Sequence, residues 1–320
     1  MIRIGIIGGA GYTAGELCRI LLNHPEAEIV FVNSESNAGN LLAEVHEGLY
    51  GETDMRFTDQ LPFDQVDVVF FCFGHGKSTK FLAEHYIPAD VRIIDLAQDF
   101  RLESDDNDYI YGLPELNHSK IQNALHVANP GCFATCLQLG LLPLAEAGLL
   151  NGDVMVNAIT GSTGAGQKPG ATTHFSWRNN NMSIYKPFQH QHVPEICQSL
   201  SQVQQLAGNG EFKASIDFIP YRGDFARGIF ATEVVKTDAP IEDIVAAAPE
   251  GFEVLSGDDA ITFELISIGA VGVISVIGNA YPANFGKMVH AELQGDFTSA
   301  LPIHRHLSPL FKLLSAPGNP

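Results

Sequence analysis

Positive charge is scarce in this sequence. Lys and Arg total 18 against 37 Asp and Glu, a formal net charge of −19, and a surface of that sign repels phosphate backbones and anionic lipid. Nucleic acid and membrane are therefore excluded as expected partners. The chain also lacks any apolar run of about 18 residues, the length a spanning helix needs. Its first residues, MIRIGIIGGAGYTAGEL, lack the basic start, apolar core and small-residue cleavage site of a secretory signal, so a cytoplasmic protein is expected. Cysteine is sparse and scattered: Cys18, Cys72, Cys132, Cys136 and Cys197 are odd in number, and in a reducing compartment they are expected as free thiols. Internal repeats, low-complexity tracts and flexible linkers are also missing.

What is present describes an ordinary globular protein, 45% hydrophobic and 17% charged, with 31 glycines. At 320 residues the chain exceeds the size at which one core stops growing, so two domains are expected. Residues 2–7 (IRIGII), 28–33, 66–73 and 92–96 are apolar runs typical of strands buried on both faces of a parallel sheet. With the helical stretch Glu16 to Leu22 after the first of them, they predict a doubly wound, Rossmann-type α/β domain. From about Asn157 longer alternating strands appear, at 214–220, 228–236 and 261–277, and predict an α+β catalytic and dimerisation domain. A helix over 286–293 is expected to return to the first domain. The predicted boundaries are 1–130 with 285–320 for nucleotide binding, and 131–284 for catalysis and oligomerisation.

An acidic chain that handles an anionic ligand must concentrate glycine turns, helix N-termini and its few arginines around that ligand. Gly8, Gly11 and Gly15 lie between the first strand and first helix, where backbone N–H groups can cradle a diphosphate, although the spacing is not a strict G-x-G-x-x-G. At the end of the second strand, Ser34-Glu35-Ser36-Asn37 falls where such folds meet the adenosine ribose. Glu35 argues for the free 2′-hydroxyl of NAD, while the flanking hydroxyls can still hold the 2′-phosphate of NADP.

The segment Ala128-Asn129-Pro130-Gly131-Cys132 precedes a helical pattern from Phe133 to about Ala147. Cys132 thus falls at a helix N-terminus, where unpaired N–H groups and the dipole favour a thiolate and can stabilise an oxyanion. Cys136 makes a Cys-x-x-x-Cys pair with it, but no second pair completes the four ligands of a zinc site, and no metal is expected. His190-Gln191-His192-Val193-Pro194-Glu195 offers two histidines and a carboxylate as acid or base. The glycine-rich run Thr160 to Gly166 (TGSTGAG) precedes them.

Taken in order, GGAGYTAGEL, SNAGN, DLAQDFR, YGLPELN, ANPGC, GSTGAG and HQHVPEI resemble the family of N-acetyl-gamma-glutamyl-phosphate reductases, whose relatives include aspartate-semialdehyde dehydrogenases. The resemblance covers roughly residues 1 to 235. It implies NADPH-dependent reduction of an N-acyl-glutamyl phosphate to its semialdehyde in arginine biosynthesis. Cys132 would be the nucleophile, His190 or His192 the acid/base, and Glu195 a further member of the catalytic set. It implies cofactor contacts at Gly8, Gly11, Tyr12, Thr13, Ser34, Ser36, Gly164 and Asn279, and substrate contacts at Arg101, Arg227 and Asn129. A homodimer or homotetramer is expected, with an acyl phosphate and inorganic phosphate as its small-molecule partners. The late part of the chain departs from the family, because Gly278 and Pro282 stand where an aspartate and a lysine are expected. Two alternatives stay open: a reductase of an N-succinyl-glutamyl or aminoadipyl phosphate, or a nucleotide-binding protein with weakened catalysis.

Overall fold

The computed structural model describes residues 1–248 and 251–314. Contacts divide the chain into two units: Met1–Leu142 with Gly152–Lys236, and Pro143–Asn151 with the described residues from Thr237 onward.

The first unit contains two sheets. Strands β1 (Ile2–Ile7), β2 (Ala27–Asn33), β3 (Val68–Phe71), β4 (Arg92–Asp95), β5 (Ile110–Tyr111) and β6 (His126–Ala128) form an all-parallel sheet in the order β2-β1-β3-β4-β6-β5. Both faces are buried, as the unbroken apolar runs require. Ile4 and Ile6 pack with Ala14, Cys18 and Val32 on one face, while Ile7 joins Phe31, Val69, Phe71 and Ile93 on the other. Because β2 and β3 lie on opposite sides of β1, the connections leave β1 in opposite directions, and the crevice at the strand ends there is the ligand position of a doubly wound fold.

The second sheet, β7 (Val154–Thr160), β8 (Ser183–Ile184), β9 (Ile216–Arg222) and β10 (Ile229–Val235), has the order β10-β7-β9-β8. It is mixed, with β7 and β9 parallel and the other pairs antiparallel. Val154, Val156 and Ala158 alternate inward with Ile216 and Phe218, toward helix Val193–Leu206, which buries Ile196 and Leu200. The α/β plus α+β architecture expected from the sequence is the one observed.

The second unit differs from expectation. Residues 261–277 read as a strand, but they form helix Thr262–Ser267, a two-residue strand β12 (Gly272–Val273) parallel to β11 (Leu255–Ser256), and a 3₁₀ turn at Ile277–Asn279. The cause is local. Asp258 accepts a hydrogen bond from Ala260 N–H and starts the helical stretch, and Gly269 at φ +119° ends it. Helix Pro282–Leu293 buries Phe285 and Met288 with Ala300, Leu307 and Phe311 of helix Phe297–Leu314. Residues 285–314 thus belong to a unit separate from the parallel sheet. No helix of the described residues is long and apolar enough to cross a membrane.

Candidate active site

The glycine turn closes β1 and opens helix Tyr12–Leu21. Gly8 sits at φ +78°, and a Cβ there would lie 2.8 Å from the Cys72 carbonyl oxygen, so only glycine fits. Gly9 N–H donates to Asn33 and the Gly9 carbonyl meets His46 Nε2 at 2.7 Å, which locks the turn between β1 and β2. Gly11 precedes the helix with no side-chain cap, and no acidic residue occupies the first turn. Tyr12 and Thr13 are exposed there. An open helix N-terminus behind a closed glycine turn suits a dinucleotide's diphosphate.

At the end of β2, Ser34 is buried and Glu35 and Ser36 are exposed. The Asn37 side-chain amide donates to both serine hydroxyls, at 3.0 and 3.1 Å. The TGSTGAG loop holding Gly164 is fixed by Ser162 and Thr163 N–H groups donating to Phe225 and Ala226. The next residue, Arg227, is 71% exposed and pairs with Glu16 of the first helix. Arg227, expected on the substrate, therefore ties the Gly164 loop to the nucleotide helix. Asn279 lies in the second unit, its amide bonded to the Val276 carbonyl at 3.1 Å.

Cys132 opens helix Cys132–Glu146. Its residue surface is solvent-exposed, while its thiol carries a desolvation penalty from the surrounding protein. Burial pushes its thiol upward, against the Phe133 N–H and the Arg101 charge, which pull it down. The helix N-terminus does not by itself make a resting thiolate, contrary to the dipole argument, because desolvation outweighs it. A nearby base is needed.

The residue before Cys132 positions a candidate for it. A Cβ on Gly131 would lie 2.1 Å from His192 Cε1, 2.3 Å from Nδ1 and 2.7 Å from Arg101 Nη1. The imidazole and guanidinium therefore rest directly on the nucleophile turn. His192 Nδ1 accepts from Ala134 N–H at 3.3 Å and stands 3.7 Å from Glu195 Oε1. Burial, then the charges of His190 and Arg101, lower His192 to about 3, so the ring is neutral and its proton sits on Nε2. His190 is lowered to about 4 by burial and then by Lys186. It is boxed in by the rings of Phe133, Tyr185 and Phe218 and accepts a hydrogen bond from His192 N–H at 3.3 Å.

Glu195 and Arg101 form a buried pair at 3.2 Å, with side chains 3% and 6% exposed. Glu195 also accepts from Tyr111 O–H at 2.8 Å and Gly131 N–H at 3.1 Å. The other Arg101 donors reach the carbonyls of Asn129 at 2.9 Å and Leu96 at 2.9 Å. Arg101 was expected to hold substrate, but its guanidinium is committed inside the protein. Asn129 donates its backbone N–H to the Asp95 carbonyl at the end of β4 and its side-chain amide to the Pro130 carbonyl at 3.1 Å.

Two site residues escaped the sequence reading. Arg222, at the end of β9, lies over the Tyr185 ring at 4.5 Å and donates to Thr172 Oγ1 at 3.1 Å, while its buried Nε has no partner. Tyr185 is pushed up to about 12 by burial, against the Arg222 charge, and its ring lies 5.6 Å from that of His190. Arg222-Gly223 reads as a turn dipeptide, and only the strand pairing of β8 with β9 reveals its position. Among the described residues no three His, Cys, Asp or Glu side chains stand where they could hold a metal ion.

Comparison with known proteins divides the chain in a similar way. The NAD binding domain of the semialdehyde dehydrogenases matches residues 3–124, and the dimerisation domain of the same group matches 132–252. Residues 231–320 match the dihydrodipicolinate synthetase family. The chain is 69% identical over 245 residues to N-acetyl-gamma-glutamyl-phosphate reductase of Bacteroides thetaiotaomicron, covering 77% of this chain and 74% of that protein. It is 49% identical over 263 residues to the enzyme of the same name from Azobacteroides pseudotrichonymphae, covering 82% and 79%. Among solved structures, aspartate semialdehyde dehydrogenase with NADP from Candida albicans shares the fold at TM-score 0.58 and 16% identity, over 78% of this chain and 76% of that one. Aspartate semialdehyde dehydrogenase II of Vibrio cholerae, complexed with ASA, does so at TM-score 0.56 and 18% identity, over 80% of each. The late departures at Gly278 and Pro282 fall where the sequence, over residues 231–320, matches another family's pattern. The first three quarters of the sequence carry the relationship, and by them the chain belongs to the N-acetyl-gamma-glutamyl-phosphate reductase family.

Proposed function

We propose that the protein reduces N-acetyl-gamma-glutamyl phosphate to N-acetylglutamate semialdehyde with NADPH, in arginine biosynthesis. The observation that carries the reading is the side-chain-free turn at Gly131, which seats His192 and Arg101 against Cys132. The substrate and pathway come from the named relatives. The Gly8 to Thr13 turn, Ser34, Ser36 and the Gly164 loop hold the cofactor, and when bound its nicotinamide supplies the hydride.

Cys132 Sγ attacks the acyl carbon, its proton passes to the histidine, and the C–O bond to phosphate breaks to leave a thioester and inorganic phosphate. His192 is the proton carrier. With its own proton on Nε2, the ring takes the thiol proton at Nδ1, where Glu195 Oε1 at 3.7 Å faces the imidazolium that forms. Hydride addition leaves an oxyanion that takes the proton from the imidazolium; the resulting hemithioacetal then returns that proton to the imidazole as it expels the Cys132 thiolate and releases the aldehyde, and the histidine reprotonates the thiolate. His190 acts through His192. Glu195 and Arg101 are positioning residues that hold the turn, so Arg222, whose guanidinium lies over the Tyr185 ring, is the better anchor for a substrate oxyanion. Arg227 and Asn129 support the loops around the site.

The Cys132→Ser variant should lose phosphate-dependent semialdehyde oxidation, followed at 340 nm, while keeping nucleotide affinity. A rate near wild type would exclude the thioester. Running the same assay with N-succinyl and carrier-linked aminoadipyl substrates separates the acyl groups. The outward face of the second sheet, with Phe230 66%, Val234 53% and Met155 52% exposed, favours a homodimer or homotetramer built on the matched dimerisation domain.

One observation favours a second reading, a nucleotide-binding protein with weakened catalysis. The C-terminal part matches a family other than the reductases. That reading predicts cofactor binding without turnover.

A further inference from the structure

The adenosine end of the nucleotide site carries a cation that the linear sequence hides. Residues 55–58 form a strap alongside the loop that follows β2. Thr58 bridges Asn33 and Arg56 bridges Leu41, while Ser34 N–H donates to Thr58, Gly39 N–H to Phe57 and Phe57 N–H to Asn40. Phe57, 2% exposed, packs with Ala14 and Val32 behind the glycine turn. Successive side chains of an extended segment point to opposite faces, so the anchor at Phe57 turns Arg56 outward. There Arg56 Nη1 donates to the Gly39 carbonyl at 2.7 Å, in the same loop as Ser34, Glu35 and Ser36. Its Nε and Nη2 make no hydrogen bond, and no carboxylate pairs with it among the described residues. Ser34 and Ser36 both accept from the Asn37 amide, which leaves their hydroxyl protons to donate.

An unpaired guanidinium and two donating hydroxyls on one loop, in a chain of net charge −19, form a seat for a dianion. From this geometry we infer that Arg56, with Ser36, binds the 2′-phosphate of the cofactor and sets the preference for NADPH over NADH. The inference rests on the nucleotide reading of the Gly8 turn and deepens it. Glu35, the residue that argued for NAD, projects from the 3₁₀ turn Glu35–Asn37 and is exposed. A fork of guanidinium donors suits a phosphate bidentately, and an arginine near the ribose serves this purpose in doubly wound folds.

The test is equilibrium binding to the full chain, with no turnover required: titration of NADPH and NADH by nucleotide fluorescence for wild type, Arg56→Ala and Arg56→Lys. Wild type should bind NADPH more tightly. Arg56→Ala should weaken NADPH by about tenfold to a hundredfold, the range of a charged hydrogen-bond set, and leave NADH within about twofold, with partial recovery in Arg56→Lys. An NADPH to NADH ratio unchanged by Arg56→Ala, or an equal loss for both nucleotides, would overturn the assignment of Arg56 alone. Failure of wild type to bind either nucleotide would overturn the cofactor reading along with it.

Discussion

Removing Glu195 tests the architecture of the site most directly. Its carboxylate neutralises Arg101 in a place where both side chains are almost wholly buried, and it accepts from Tyr111 and Gly131. Glu195→Leu leaves a guanidinium buried without a counter-charge, at a cost of about 3–5 kcal/mol. The change also strands the donors of Tyr111 and Gly131, because the contact Tyr111 keeps with Gln138 is one in which its oxygen accepts. Adding Arg101→Met removes the stranded charge, and replacing both members of a buried pair by apolar groups is often neutral, so most of the loss should return. Activity should not return with stability, because Gly131 N–H has still lost the carboxylate that holds the nucleophile turn. Urea unfolding followed through Trp177, the one tryptophan of the chain and part of the first unit, reports the change as a shift in midpoint at constant slope. A cost below about 1 kcal/mol for Glu195→Leu, or a double variant no more stable than the single, would refute the coupling. So would a double variant that regained full activity.

Two pH effects follow from buried titrating groups. His190 and His192 are held neutral, at about 4 and about 3, so the folded state binds fewer protons than the unfolded chain; their contribution is intact above the ordinary histidine value near 6.5 and is lost as pH falls through those lowered values. His190→Asn should flatten the acid limb of a stability profile between about pH 6.5 and 4, and an unchanged limb would count against the burial argument. Glu233 behaves in the opposite sense. Burial alone pushes it up to about 8, Oε1 lacks a partner, and a Cβ on Gly140 would meet Oε2. Stability tied to its protonated form is full below the ordinary carboxylate range and is lost as pH rises through about 8. Glu233→Gln should therefore raise the melting temperature at pH 9 more than at pH 5; an equal effect at both values would exclude it.

Much of the reductase-like part was legible without coordinates. The four apolar runs of the parallel sheet, the glycine turn and the helix beginning at Cys132 are dictated by neighbours in the chain, and the observed elements differ from the expected ones by a few residues. The second unit was not legible in this way. Its apolar residues from 261 to 277 suit a strand or a buried helix equally, and the Asp258 cap with Gly269 decided between them. The late sequence matches another family over 231–320, and its helices Pro282–Leu293 and Phe297–Leu314 bury Phe285 and Met288 against Leu307 and Phe311.

The amino-acid sequence by itself determined the doubly wound start, the turn that presents Cys132 and the choice of His190, His192 and Glu195 as its companions, since these depend on periodicity, φ at glycine and short spacings. Only the tertiary structure decided what each charge does. It joins Arg101 to Glu195 across 94 positions, sets Arg222 over Tyr185, and bonds Arg56 to the Gly39 carbonyl of the loop after β2. Burial then raises the Cys132 thiol and keeps both histidines neutral. Those outcomes depend on desolvation and on partners distant in the chain, and neither is written in local sequence.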